Sequence, residues 1–153
     1  MTRVRNAGTT VLLLGALSLS RLAHADPCQL DISGNDQMQY DKATLTVPAS
    51  CKEVTLTLHP TGKLPREAMG HNWVLVNAAD FNAVVTAGMA AGLANDYVQP
   101  ADKRVLAHTG VIGAGQTVSV TFATSILKPG ADYRYLCTFP GHNALMHGTL
   151  KFG

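Results

Sequence analysis

The chemically richest stretch of this chain lies near its end, in Cys137-Thr138-Phe139-Pro140-Gly141-His142-Asn143-Ala144-Leu145-Met146. A thiolate, an imidazole and a thioether fall within ten residues there. Pro140-Gly141 predicts a sharp turn that folds the stretch into one tight loop at the end of a strand. Soft sulfur and borderline nitrogen donors suit copper, which must be held in both oxidation states if electrons pass through it. A strongly bound cysteine and imidazole with a weak axial methionine is a blue-copper donor set. Such a set needs a second imidazole, and His71 in Gly70-His71-Asn72-Trp73 is best placed, at the mouth of a strand. Gly70 lets the backbone approach closely, so its carbonyl is a candidate for a distant fifth contact.

Rival chemistries fit these residues less well. Structural zinc takes four strong Cys or His donors, and a thioether is a poor fourth. A Cys137 nucleophile with His142 or His71 as base calls for an orienting group and an oxyanion loop, and neither is evident. Copper storage or delivery favours exposed, exchangeable donors, whereas these come from strand ends and a constrained loop. The expectation is a one-electron carrier with no catalytic residues. His59, His108 and His147 lack such company and read as surface or hydrogen-bonded histidines.

The elements that must position this loop read as short strands between turns. Asp31 to Ser33 precedes the turn cluster Gly34-Asn35-Asp36, and Thr44 to Val47 stops at Pro48. Val54 to Leu58 alternates with period two, placing threonines on one face and aliphatics on the other. Asn72 to Val76 is an apolar run around Trp73, which reads as core rather than relay. Gln116 to Thr124, Asp132 to Cys137 and Gly148 to Phe152 complete the set. Alanine-rich Asp80 to Leu93 has helical spacing weakened by Gly88 and Gly92 and predicts one short helix. The whole is an all-β, two-sheet sandwich with one helical insertion.

The chain has 153 residues, and its first 25 read as a secretory leader. Arg3 and Arg5 supply a basic start, Val11 to Leu19 an apolar run too short to span a bilayer, and Ala23-His24-Ala25 a cleavage pattern. The mature domain is then expected over 26–153, in the periplasm. Arg3, Arg5 and Arg21 depart with the leader, leaving nine bases against ten acids, a balance with no footprint for nucleic acid. Of three cysteines, an oxidising compartment predicts one pair and one thiol with a reason to stay free. Cys28 with Cys51 closes a loop that contributes about 3.4 kcal/mol in the chain-entropy model. Pairing of either with Cys137 stays open at this point.

Three stretches in order carry a resemblance: Gly34 to Gln39, Met69-Gly70-His71-Asn72-Trp73-Val74-Leu75, and Cys137 to Met146. They resemble the azurins, small blue-copper members of the cupredoxin family with a Greek-key sandwich. The resemblance implies copper held by His71, Cys137, His142 and Met146, with the Gly70 carbonyl weakly opposite Met146. It implies a Cys28–Cys51 disulfide and backbone donors to the Cys137 sulfur from Asn72 and Phe139. It implies an apolar docking patch of Met38, Leu64, Ala68, Met69, Met89, Phe139, Pro140, Gly141, Ala144 and Leu145, through which an edge of His142 is exposed. Implied partners are redox proteins such as c-type cytochromes and periplasmic oxidoreductases. Two departures stand out. His59-Pro60-Thr61-Gly62 is shifted by a residue from the pH-responsive histidine of azurins, so that role is not carried over. His147 stands where a lysine or another polar residue is usual, and its charge is expected to act on the copper potential around neutral pH.

Overall fold

The computed structural model describes residues 26–153, so the leader predicted for 1–25 lies outside the described residues. Two sheets stack on a shared core. The smaller orders β1 (Gln29–Gly34), β3 (Glu53–Pro60) and β6 (Val118–Ala123). The larger orders β2 (Thr44–Val47), β8 (His147–Phe152), β7 (Tyr133–Leu136), β4 (Val74–Asn77) and β5 (Val105–His108). β1 runs parallel to β3 and β2 parallel to β8, while the other pairings are antiparallel. This is the two-sheet sandwich that the alternating pattern predicts.

β3 shows how sequence becomes layer. Val54, Leu56 and Leu58 point inward and are fully buried, each contributing roughly 1.5–3 kcal/mol. Thr55 and Thr57 face outward and pair across the strands with Thr121 and Ser119, at 3.0 and 2.9 Å. Trp73 is fully buried between the sheets, stacked on Phe122 from one and Tyr135 from the other. The core reading of Trp73 therefore matches its position. Cys28 and Cys51 are joined as a disulfide, and Cys137 is the free, buried thiol.

β4 is apolar on both faces, so its outer face needs a cover. The helix α2 (Phe81–Ala91) supplies it, packing Val84 and Val85 against Val74, Val76 and Leu136. A single turn, α1 (Arg66–Met69), sits just before Gly70 and lay beyond what the sequence predicted. Strand β5 was likewise not anticipated, because Val105 to His108 is short and only half-buried.

Gly88 is not a defect in α2. A Cβ there would lie 2.2 Å from the carbonyl oxygen of Tyr97, so the helix and the Tyr97 turn touch only because no side chain intervenes. Gly88→Ala gains about 1 kcal/mol of intrinsic helix propensity. We expect the clash to outweigh it, lowering stability by about 1–3 kcal/mol in denaturant unfolding. An unchanged or raised midpoint would show that the two segments separate freely.

Candidate metal centre

Cys137 leaves the end of β7 and the chain returns through Met146 to β8. The Cys137 N–H donates to the Met146 carbonyl at 3.0 Å, closing the loop at its neck. Inside it, Phe139-Pro140-Gly141-His142 is a tight turn in which the His142 N–H donates to the Phe139 carbonyl at 3.0 Å. Gly141 takes φ 82°, the left-handed conformation such a turn demands after proline. A second reversal follows at once, because the N–H groups of Leu145 and Met146 both donate to the His142 carbonyl. His142 is thereby turned inward, toward the sulfur.

His71 arrives from the other side of the site, anchored to Ile112 by a reciprocal pair of backbone hydrogen bonds at 2.9 Å. Donor atoms of His71, Cys137 and His142 all lie within 4.8 Å of one another, and all three residues are buried. The Cys137 Sγ is 3.6 Å from His142 Nδ1 and 4.0 Å from the Gly70 carbonyl oxygen. Met146 is fully buried in the same cluster with Cys137, Phe139 and Val111. A Cβ on Gly34 would come within 2.6 Å of the Met146 methyl and 3.1 Å of the His71 ring. A side chain there would displace the Met146 methyl and crowd the His71 ring.

The electrostatics fit a soft, positively charged guest. His71 Nδ1 is buried without a hydrogen-bond partner, a state that costs free energy unless something binds it. Burial pushes the Cys137 thiol up to about 12, against the opposing pull of the Asn72 and Phe139 backbone N–H groups. Burial, with His71 alongside, holds His142 down at about 4, and burial also lowers His71. Without a metal the site therefore holds a protonated thiol and two neutral imidazoles at neutral pH. A thiol that surrenders its proton, and a thioether that has none, match the donor preferences of copper.

The family described as "Copper binding proteins, plastocyanin/azurin family" matches residues 26–153. The chain belongs to that family of copper-binding proteins. The azurin of Pseudomonas aeruginosa is 55% identical over 140 residues, covering 92% of this chain and 93% of that one. The azurin of Bordetella pertussis is 54% identical over 139 residues, covering 91% of each. Among solved structures, an azurin of the obligate methylotroph Methylomonas sp. strain J superposes with a TM-score of 0.80 at 43% identity, covering 82% of this chain and 98% of that one. The cofactor is copper, and the protein is a blue-copper electron-transfer protein of cupredoxin-like fold.

Several expectations need revision. Phe139 does not belong to an exposed patch: its ring is buried between Tyr97 and His142. His142 shows almost nothing to solvent, at 2% exposure, so the expected open edge is nearly covered. Leu64, Ala68, Met89, Pro140, Gly141, Ala144 and Leu145 are exposed, while Met38 and Met69 are half-covered. His147 stacks edge-on against Phe81, and its Nδ1 lies 2.7 Å from the Arg134 guanidinium. Burial and then that cation hold its pKa below the ordinary value, so it is neutral at neutral pH rather than charged. His59 instead bridges Asp31 and Thr117 across the small sheet.

The sequence points to Asn72 only through its backbone N–H and not to the side chains that hold the donors from behind. The Asn72 side chain donates to Thr138 Oγ1 at 2.8 Å and accepts from the Thr138 N–H at 2.9 Å, tying the two halves of the site together. Thr109 Oγ1 accepts from the Trp73 N–H, and Tyr40 donates its phenol to the Asn72 carbonyl. Nothing in their types announces this; only long-range pairing brings them together.

The depressed histidines set a pH dependence for the metal-free protein. Unfolded, His142 binds a proton near 6.5, and folded it resists one down to about 4. As pH falls between those values the unfolded state takes up the proton first, so stability declines. We expect the unfolding midpoint of metal-free protein to be flat between this window and the ordinary thiol pKa of 9, and to fall within the window as pH drops. A midpoint independent of pH there would mean that His142 is not held neutral by burial.

Proposed function

We propose that this chain holds one copper ion between His71 Nδ1, Cys137 Sγ and His142 Nδ1, with Met146 Sδ and the Gly70 carbonyl as weak outer contacts. It carries single electrons between redox proteins and catalyses no reaction of its own. The observation that supports this most is the convergence of a buried thiol and two buried imidazoles, one with an orphaned nitrogen, from distant parts of the chain. Bound copper supplies a one-electron couple between Cu(II) and Cu(I).

The protein's own residues make that exchange fast by keeping still. Cys137, His142 and Met146 hang on a loop locked by its internal hydrogen bonds, and His71 is pinned to Ile112. Donors held this way need little rearrangement when the charge changes. The Asn72 and Phe139 N–H groups stabilise negative charge on the sulfur and so tune the potential. Phe139 and the fully buried Met146 keep water from the donors.

Exposed Leu64, Met89 and Leu145 carry the docking proposal. An apolar patch of modest area suits brief encounters with partners such as c-type cytochromes and periplasmic oxidoreductases. We further propose that the mature domain begins at Asp26 and works in the periplasm, on the strength of the leader pattern and the Cys28–Cys51 disulfide.

Titration of the purified metal-free chain with Cu(II) is expected to give an intense blue thiolate-to-copper band with one equivalent. Cys137→Ser should bind copper weakly and without that colour. A colourless wild type would overturn the assignment. Leu145→Asp is expected to leave the visible spectrum unchanged while slowing electron exchange with a c-type cytochrome by roughly tenfold, the effect of about 1.4 kcal/mol at a small interface. Equal rates would remove the patch from the pathway.

A further inference from the structure

Behind the donors lies a turn that an ordinary chain would avoid. Asp96 and Tyr97 are consecutive non-glycine residues with φ 53° and 52°. Two left-handed residues in succession persist only where their surroundings over-determine them. Here Asp96 Oδ1 accepts from Arg66 Nη2 at 2.9 Å and from the Val111 N–H at 2.8 Å. Arg66 Nε donates to the Val111 carbonyl at 2.8 Å, so one ion pair satisfies both backbone groups of Val111.

Three lines run from this clasp to the metal site. Val111 packs in the cluster of Cys137 and Met146 and presses against Gly70, where a Cβ would come 2.5 Å from its methyl. The Asp96 carbonyl accepts from Asn72 Nδ2 at 2.8 Å. Tyr97 stacks edge-on against Phe139, ring centres 5.2 Å apart. Gly70, Asn72 and Phe139 are the residues whose backbone atoms face Cys137 Sγ.

We propose that Arg66 and Asp96 are positioning residues: their ion pair holds the strained Asp96–Tyr97 turn, and through it the carbonyl of Gly70 and the amides of Asn72 and Phe139 around the Cys137 sulfur. The clasp touches no donor atom. It sets the environment of the sulfur by fixing three segments that the sulfur's neighbours belong to. The proposal rests on the copper reading for its effect on colour, but its geometric part stands without a metal.

The test is amide hydrogen exchange on the mature chain, metal-free and loaded with Cu(I), together with the visible spectrum of the Cu(II) form. In Asp96→Ala, exchange at Asn72 and Phe139 is expected to quicken roughly tenfold relative to Leu56 and Tyr135, and the blue band to shift. Arg66→Lys, whose single ammonium cannot serve Asp96 and the Val111 carbonyl in the same way, should move both readouts in the same direction by less. Asp96→Asn retains an acceptor for Val111 and should also fall between. Should Asp96→Ala not fold, the two conservative variants carry the test. Uniform acceleration of all amides, or no change at Asn72 and Phe139, would overturn the proposal. A wild type without the blue band would instead sink the copper assignment and leave the exchange result standing.

Discussion

The burial of one sulfur governs this molecule. Cys137 sits out of reach of water at the end of β7, where its thiol is pushed up to about 12. A buried thiolate is tolerable only with positive charge beside it and donors aimed at it. That requirement explains why the backbone amides of Asn72 and Phe139 face the sulfur. The two-sheet sandwich is the frame that brings residues 71 and 137 to one end of the molecule.

Much of this was legible because the relevant signals are local. Alternation in Val54 to Leu58 reports one buried and one solvated face directly. The spacing from Cys137 to Met146 reports one tight loop because the turn at Pro140-Gly141 is written in the same residues. The Cys28–Cys51 pairing followed from the resemblance and is present in the fold. What escaped was long-range or conditional. β5 has no strong period and is a strand only because β4 offers it an edge. The burial of Phe139 depends on Tyr97, forty-odd residues upstream, and the neutrality of His147 depends first on its own burial and then on Arg134 on the neighbouring strand. Arg66 and Asp96 look like ordinary surface charges until the fold sets them 2.9 Å apart.

The helix α2 illustrates a conflict between local preference and packing. Glycine at position 88 is unfavourable for a helix, yet Tyr97's carbonyl occupies the space a side chain would need. Its cost in helix propensity secures a close contact between the helix and the strained turn. The same turn then reaches the sulfur's surroundings through Asn72, Val111 and Phe139. Sheet, helix and loop are thus coupled at one edge of the donor site, each supplying a constraint that the others lack.

The strand order of the larger sheet bears on how the chain can be made. β8 lies between β2 and β7, so Thr44–Val47 finds its sheet partner only in Thr149–Phe152, about a hundred residues later. A ribosome that has released everything up to the donor loop has still not released the neighbour that β2 requires. Closure must wait for the final strand, and such distant pairings are formed slowly. The β2 edge of the larger sheet therefore stays unpaired until the last residues have been made, whereas β4 and β7, which carry His71 and Cys137 just beyond their ends, can already meet.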